Sequence, residues 1–285
     1  MLGIGRVFSA SFAMFRRRFW ALVGMWAVFF AIQIAGSAVF GIAMVVFGMT
    51  GMVALDTGLD SPAAIAGMGI GMILVLVLFY AAYVVILLAQ QAAMVTLASP
   101  LEEPAFGAAL GRGFKSALPF LAITVILMLG YFLIAGVIGG VAGAAGGGSV
   151  VSAVLALLSL PVLVYLACRL AVLIPVVAVE QVFNPIAAIR RSWAVTRGKA
   201  GDVFLALLAF VAVSLVALCL PFAVIFGGLL GSQDNDGAAA GFAIVGVLLF
   251  IPLFIAYTNF AAAFTAAMHS EVTGGGAESL EEVFA

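Results

Sequence analysis

The chain has 285 residues, of which 66% are hydrophobic and only 8% charged; 11 Lys and Arg against 12 Asp and Glu leave a formal net charge of −1, and the mean hydropathy is +1.36. Soluble domains carry about 25% charged and about 45–50% apolar residues, so a soluble globular protein is excluded. The apolar runs are continuous and rich in Ala, Leu, Val and Gly, which excludes a β-barrel of alternating strands and makes the fold class all-α, a polytopic membrane protein.

A spanning helix needs about 20 mostly apolar residues to cross about 30 Å of hydrocarbon. Six stretches qualify, near 20–47, 67–98, 117–144, 150–178, 203–230 and 239–268. Most exceed the minimum, which predicts tilted or overhanging helices. Ahead of the first, "SFAMFRRRFWALVGM" carries a superficial twin-arginine export pattern at Arg16, Arg17 and Arg18. The apolar run is longer than the about 7–15 residues of a signal core and five more spans follow, so the segment reads as the start of helix 1. Phe8, Phe12, Phe15 and Phe19 form one aromatic stripe with Arg6 and Arg17 opposite, the pattern of a helix lying flat in the membrane interface.

Helix 2 opens with Gly67, Gly69 and Gly71, which lack the spacing and strand context of a dinucleotide loop and read as a close-packing surface; Gln90 and Gln91 lie near its far end. The next connection predicts a second interfacial helix. Pro104 suits a first helical position, Glu102 and Glu103 suit the positive end of the helix dipole, and Phe106, Leu110, Phe114 and Ala117 share a face opposite Arg112 and Lys115. Helix 3 ends in "GVIGGVAGAAGGG", where Gly136 with Gly140 and Gly139 with Gly143 repeat the small-xxx-small pattern of close helix approach. Helix 4 contains Arg169, the one basic residue inside a span. After it, Asn184 is a cap before Pro185, and Arg190 and Arg197 flank Trp193 on one side of a helix. That Trp between two arginines suits the headgroup layer, where an indole sits half buried and guanidinium groups reach phosphates. Helix 6 carries Asn259, and from Glu271 an acidic tail, "GGGAESLEEVFA" within it, follows.

The basic residues fall before the first span, between the second and third, and between the fourth and fifth: Arg6 and Arg16–Arg18, then Arg112 and Lys115, then Arg190, Arg191, Arg197 and Lys199. The opposite connections hold no Lys or Arg and carry Asp56, Asp60, Asp234 and Asp236. The positive-inside rule then expects both termini in the cytoplasm of a multi-pass bacterial inner-membrane protein. The clusters also resemble one another. "SFAMFRRR" at 11–18 aligns with "SWAVTRGK" at 192–199, and "AALGRG" at 108–113 fits the same frame. The reading is a single domain over 1–270 built of three quasi-repeats, about 5–98, 104–178 and 184–268, each a basic interfacial helix followed by a helical hairpin, with an acidic tail over 271–285.

The run "LACRLAVLIPVVAVEQVFNPIAAIRRSWAVTRGKAGDVF", from Arg169 through Pro175 and Glu180 to the Ile-Arg-Arg-Ser-Trp and Thr-Arg-Gly elements, resembles the membrane domain attached to some bacterial glycerophosphodiester phosphodiesterases and found in related uncharacterised six-helix inner-membrane proteins. The resemblance covers about forty residues. It implies six helices but brings no agreed activity for the membrane part. The soluble phosphodiesterase resembles a TIM barrel with paired histidines and metal-binding carboxylates, whereas this chain has one histidine, His269, and no room for a barrel; hydrolase activity does not carry over.

No catalytic triad, phosphate loop or metal-ligand spacing occurs, and Cys168 and Cys219 read as packing residues. The chain is therefore expected to be no enzyme and to need no cofactor. None of the acidic residues lies deep in a span, where proton relays place theirs, and Glu180 and His269 sit near cytoplasmic ends. Gln90, Gln91, Arg169 and Asn259 each lie a similar distance before the end of the second span of a unit, so one shared polar site competes with snorkelling of Arg169 and helix-tying by the amides. The favoured function is membrane organisation through binding of anionic lipids or a partner by a cytoplasmic basic collar of Arg16, Arg17, Arg112, Lys115, Arg190, Arg191, Trp193, Arg197 and Lys199. The alternatives are a small-molecule or lipid transporter with a polar site near Arg169 and a membrane subunit of a separate phosphodiester hydrolase. The expected partners are membrane lipids, anionic ones above all, or a membrane or cytoplasmic protein, and no nucleic acid.

Overall fold

A computed structural model describes residues 3–56, 62–101, 104–144, 149–231 and 236–274. The regular elements among these residues are all α-helices: α1 (Ile4–Arg17), α2 (Phe19–Asp56), α3 (Pro62–Ala98), α4 (Phe106–Ala144), α5 (Ser149–Leu170), α6 (Leu173–Ala178), α7 (Pro185–Val195), α8 (Ala200–Gly231) and α9 (Asp236–Thr273). Six segments are long and apolar enough to cross a membrane, namely α2, α3, α4, α5 with α6, α8 and α9. With 38, 39 and 38 residues, α2, α4 and α9 are each about 57 Å long at 1.5 Å per residue and overhang a hydrocarbon layer of about 30 Å.

The core sits at one end of the bundle. Leu22, Met25 and Phe29 of α2, Ala92–Ala98 of α3 with the following Ser99, Ala109, Gly113 and Ala117 of α4, Cys168–Val179 apart from a few half-buried members, and Ala262–Ser270 of α9 apart from Thr265 are all buried. Two long cations tie that end across the chain: Arg18 Nη1 donates to the Leu97 carbonyl and Lys199 Nζ to the Val272 carbonyl, each at 2.8 Å. Towards the other end the same helices present Val39, Leu78, Leu133, Leu157, Val216 and Leu248 outward, an apolar belt matched to lipid.

Side-chain size explains this division. Helices in lipid gain no hydrophobic drive from touching one another, so close contact requires small residues that let backbones approach. The buried ends read "AQQAAMVTLAS" over 89–99 and "AAAFTAAMHS" over 261–270, where mostly exposed stretches of the same two helices read "ILVLVLF" over 73–79 and "VLLFIPLF" over 247–254. Gly113 packs directly on α3, a β-carbon there standing 2.6 Å from the Ala89 carbonyl oxygen and 2.7 Å from Ala93 Cβ. Gly228 against Phe242 and Gly246 against Ile225 do the same between α8 and α9. The glycines singled out from sequence behave differently: β-carbons on Gly136, Gly139, Gly140 and Gly143 would meet nothing within 4 Å. The close-packing reading of 136–143 is corrected accordingly, and the side chains of 67–70 lie outside the described residues.

The three interfacial segments diverge. α1 is a separate helix, ended at Arg18, but it packs on α9 rather than lying only on lipid: Val7 and Ser11 are fully buried, and Phe8 and Phe15 reach Phe264 and Phe260 at 5.4 and 5.9 Å between ring centroids. Phe12 is 60% exposed, so the aromatic stripe is split, the buried face being rotated towards Val7 and Ser11. In the middle segment no break separates an interfacial helix from a span. α4 runs unbroken from Phe106 through Pro119, with Phe106 and Phe114 exposed and the small residues Ala109 and Gly113 turned inward. Pro104 precedes the helix rather than starting it, and Glu102 and Glu103 lie outside the described residues. The third segment folds as expected, α7 starting at Pro185 with Asn184 Oδ1 accepting from the Ile186 and Ala187 amides at 3.1 and 3.2 Å. α9 continues through Thr273, past the expected start of the tail, of which the residues beyond Gly274 lie outside the described set, as do the connections 57–61, 145–148 and 232–235.

Candidate functional site

Helix 4 of the sequence reading is broken. Pro175 has no N–H for the Ala171 carbonyl, and its ring collides with that carbonyl, so α5 stops at Leu170, Ala171 and Val172 form a turn, and α6 restarts with Pro175 in its first turn, where an amide has no helical partner anyway. The break leaves the last carbonyls of α5 without partners inside the helix. α7 supplies one: Ser192 Oγ donates to the Arg169 carbonyl at 2.8 Å.

That geometry fixes Arg169, which is only 4% exposed and lies in the last turn of α5, where a cation suits the negative end of the helix dipole. Its Nη1 donates to Thr196 Oγ1 at 3.3 Å, and its guanidinium lies over the Trp193 ring at 4.5 Å and the Tyr165 ring at 5.8 Å. Cation–π contact of this kind is worth about 0.5–2 kcal/mol according to desolvation. Arg169 Nε, like Asn259 Oδ1, is buried with no hydrogen-bond partner among the described residues.

The intramembrane polar residues do not share hydrogen bonds. Gln90 accepts from Gln33 Nε2 at 2.8 Å, Asn259 Nδ2 donates to the Ile255 carbonyl of its own helix at 2.8 Å, and Gln91 is exposed. Arg169 faces α7 instead.

After α6 the chain turns through Gln181 in the left-handed region, φ 56°, which brings Glu180 between two bases. Its Oε2 accepts from Arg191 Nε at 2.8 Å, and its Oε1 lies 2.9 Å from Nε2 of the buried His269 on α9. Burial alone would raise the Glu180 carboxyl; the hydrogen bonds from Arg191 and His269 outweigh it and hold the pKa below the ordinary carboxylate value, while the bond to Glu180 raises that of Arg191. This cluster, which joins α6, α7 and α9, was not visible in the sequence as a unit, because its members lie 11 and 89 residues apart. Among the described residues no group of three His, Cys, Asp or Glu could hold a metal ion.

The remaining basic residues stand around the same end. Arg16, Arg17 and Arg18 with Trp20, Pro104 and Phe106 line an open groove of about 300 Å³ where α1 turns into α2, and an adjoining hollow of about 600 Å³ is lined by Ser9, Phe12, Ala13, Arg16 and Arg17. Arg16, Lys115, Arg190 and Arg197 have no acidic partner among the described residues, whereas Arg6 pairs with Glu271 at 3.8 Å and Arg191 with Glu180. No family model, no curated protein and no solved structure matches the chain. The geometry of this end is therefore what bears on function: a compact core with cations and exposed aromatic residues on the helices that form it, next to an apolar belt.

Proposed function

We propose that this protein is a non-enzymatic integral protein of the bacterial inner membrane, with both termini cytoplasmic, that organises the surrounding leaflet by binding anionic lipid headgroups at its basic end. The observation that carries the reading is the state of the cations there. Arg16, Lys115, Arg190 and Arg197 have no acidic partner among the described residues. Arg16 lies beside Trp20, 81% exposed, and Arg190 and Arg197 flank Trp193 along the chain, at the border of the apolar belt. Each Lys or Arg close to an anionic leaflet gains about 1 kcal/mol, and exposed indoles favour the headgroup layer. The three-unit organisation belongs to the same reading: α1 and α7 each precede a long apolar hairpin, and the first turns of α4 hold the equivalent place.

Native mass spectrometry of protein released from nanodiscs of equal phosphatidylglycerol and phosphatidylcholine tests the reading. The wild type should retain phosphatidylglycerol in preference, and the variant with Arg16, Arg17, Arg190 and Arg197 changed to Gln should lose the preference while staying membrane-inserted. An unchanged preference in that variant would leave the arginines with a topological role alone.

A further inference from the structure

Between α5 and α8 runs an open crevice of about 570 Å³, its walls formed by Leu160, Pro161, Val164 and Tyr165 on one side and Gly201 and Phe204 on the other, a volume within the about 300–1,000 Å³ of small-molecule sites. Two backbone features make it. Pro161 interrupts the hydrogen-bond ladder of α5, and Gly201 contributes no side chain, a β-carbon there meeting nothing within 4 Å. The lining has almost nothing to offer a polar solute beyond the Tyr165 hydroxyl, so a polar ligand would surrender its water without replacement. Both walls belong to membrane-spanning segments, and the crevice is flanked by the outward-facing Leu157, Val162, Leu205 and Leu208; hydrocarbon chains are what surrounds it.

One end of the crevice is basic and aromatic. Tyr165 in its wall meets Trp193 of α7 edge to face, centroids 5.9 Å apart, and the Trp193 ring carries the Arg169 guanidinium on its face at 4.5 Å. Arg190 precedes Trp193 by three residues and so shares its face of α7. Arg197 stands three residues before Ala200, which lies in the crevice wall. Neither Arg190 nor Arg197 has an acidic partner among the described residues, and Arg169, buried, has no carboxylate beside it either.

We infer that the α5–α8 crevice is a specific site for one anionic glycerophospholipid, an acyl chain lying along Pro161, Val164 and Gly201 and the phosphate held by Arg190 and Arg197 beside Trp193. The inference rests on the proposed function in that it takes the basic end to face an anionic leaflet, and adds which lipid-binding element is selective. Charge complementarity fixes the headgroup class; the apolar walls fix the chain. The Tyr165–Trp193 pair, packed against the buried Arg169, joins the crevice wall to α7.

Native mass spectrometry from nanodiscs of equal phosphatidylglycerol and phosphatidylcholine separates the parts. Gly201→Leu fills open space on an exposed helix face, and an unchanged melting temperature confirms that it folds; Gly201→Ala serves as the milder version. Gly201→Leu should lose one tightly held lipid relative to the wild type. Arg190→Gln and Arg197→Gln should keep a lipid there but lower its preference for phosphatidylglycerol about fivefold per arginine. A folded Gly201→Leu that retains the wild-type number of lipids overturns the crevice site; if Arg16→Gln with Arg17→Gln weakens phosphatidylglycerol retention in the same experiment, the proposed function survives that failure. Loss of a lipid from Gly201→Leu without any headgroup preference in the wild type would refute the phosphate half of the inference and the proposed function together.

Discussion

Gly113 of α4 packs directly on α3, and adding one carbon there tests how the core is built. A β-carbon would stand 2.6 Å from the Ala89 carbonyl oxygen and 2.7 Å from Ala93 Cβ, against an optimal heavy-atom separation of about 3.5–4.0 Å. Both obstacles are a backbone atom or a β-carbon, so no rotamer change relieves them and the helices must part by roughly 1 Å. Overpacking of this kind costs about 1–3 kcal/mol, against which the higher helix propensity of Ala returns about 1 kcal/mol. Gly111, two residues earlier on the same helix, has nothing within 4 Å of a β-carbon. Gly111→Ala keeps the propensity gain alone and should be more stable than the wild type by up to about 1 kcal/mol. The propensity term cancels between the two variants, leaving Gly113→Ala less stable than Gly111→Ala by about 1–3 kcal/mol. Denaturant unfolding in micelles, followed by tryptophan fluorescence, gives both values. Equal stabilities would refute the close α3–α4 approach, and with it the explanation of the core by small residues at one end.

Three further outcomes follow from the site. Ser192→Ala removes the donor to the carbonyl freed at the α5–α6 break, and Thr196 Oγ1, 3.3 Å from that oxygen, can swing to cover it. The double variant Ser192→Ala with Thr196→Val should therefore lose about 1–3 kcal/mol beyond the sum of the singles; strict additivity would show that the carbonyl is not held by α7. The Glu180 carboxyl is held below its ordinary value by Arg191 and His269, so its contribution to stability is full above the ordinary carboxylate pKa and is lost as pH falls through the lower folded value. Melting temperature across that acidic window should fall more steeply in the wild type than in Glu180→Gln, and parallel curves would refute the bridge. In a background with Cys168 and Cys219 replaced by Ala, Asp56→Cys and Asp234→Cys should react with an impermeant thiol reagent in intact cells, and protection of both would reverse the orientation.

The six spans are legible because continuous apolar runs report burial in lipid without any knowledge of contacts. Asn184 with Pro185 is legible for a similar reason, since capping is local chemistry written in adjacent residues. The break after Leu170 had a local signal as well, Pro175 being four residues past Ala171, but the surrounding run is so apolar that hydropathy hides it. What sequence placed poorly depends on partners. The glycines at 136–143 match a packing motif and face open space, whereas Ala109 and Gly113 match it and are packed, because α3 offers Ala89 and Ala93 opposite them. The aromatic stripe of α1 likewise shows a helix with an apolar face but not whether lipid or α9 covers it. Arg169 stands out in the sequence as a cation in an apolar run, yet its contacts lie 24 to 27 residues away, at Trp193 of α7 and Thr196 just after it, and no periodicity reports those.

The central claim, that the basic end meets anionic headgroups, is tested most directly at Trp20, the 81% exposed indole beside Arg16, Arg17 and Arg18. With Trp26 and Trp193 replaced by Phe, Trp20 fluorescence is measured in vesicles doped with brominated phosphatidylglycerol or with brominated phosphatidylcholine. The account predicts stronger quenching by the brominated phosphatidylglycerol, a difference that shrinks as salt screens the arginines and vanishes in Arg16→Gln with Arg17→Gln. Equal quenching by the two lipids at low salt would contradict it.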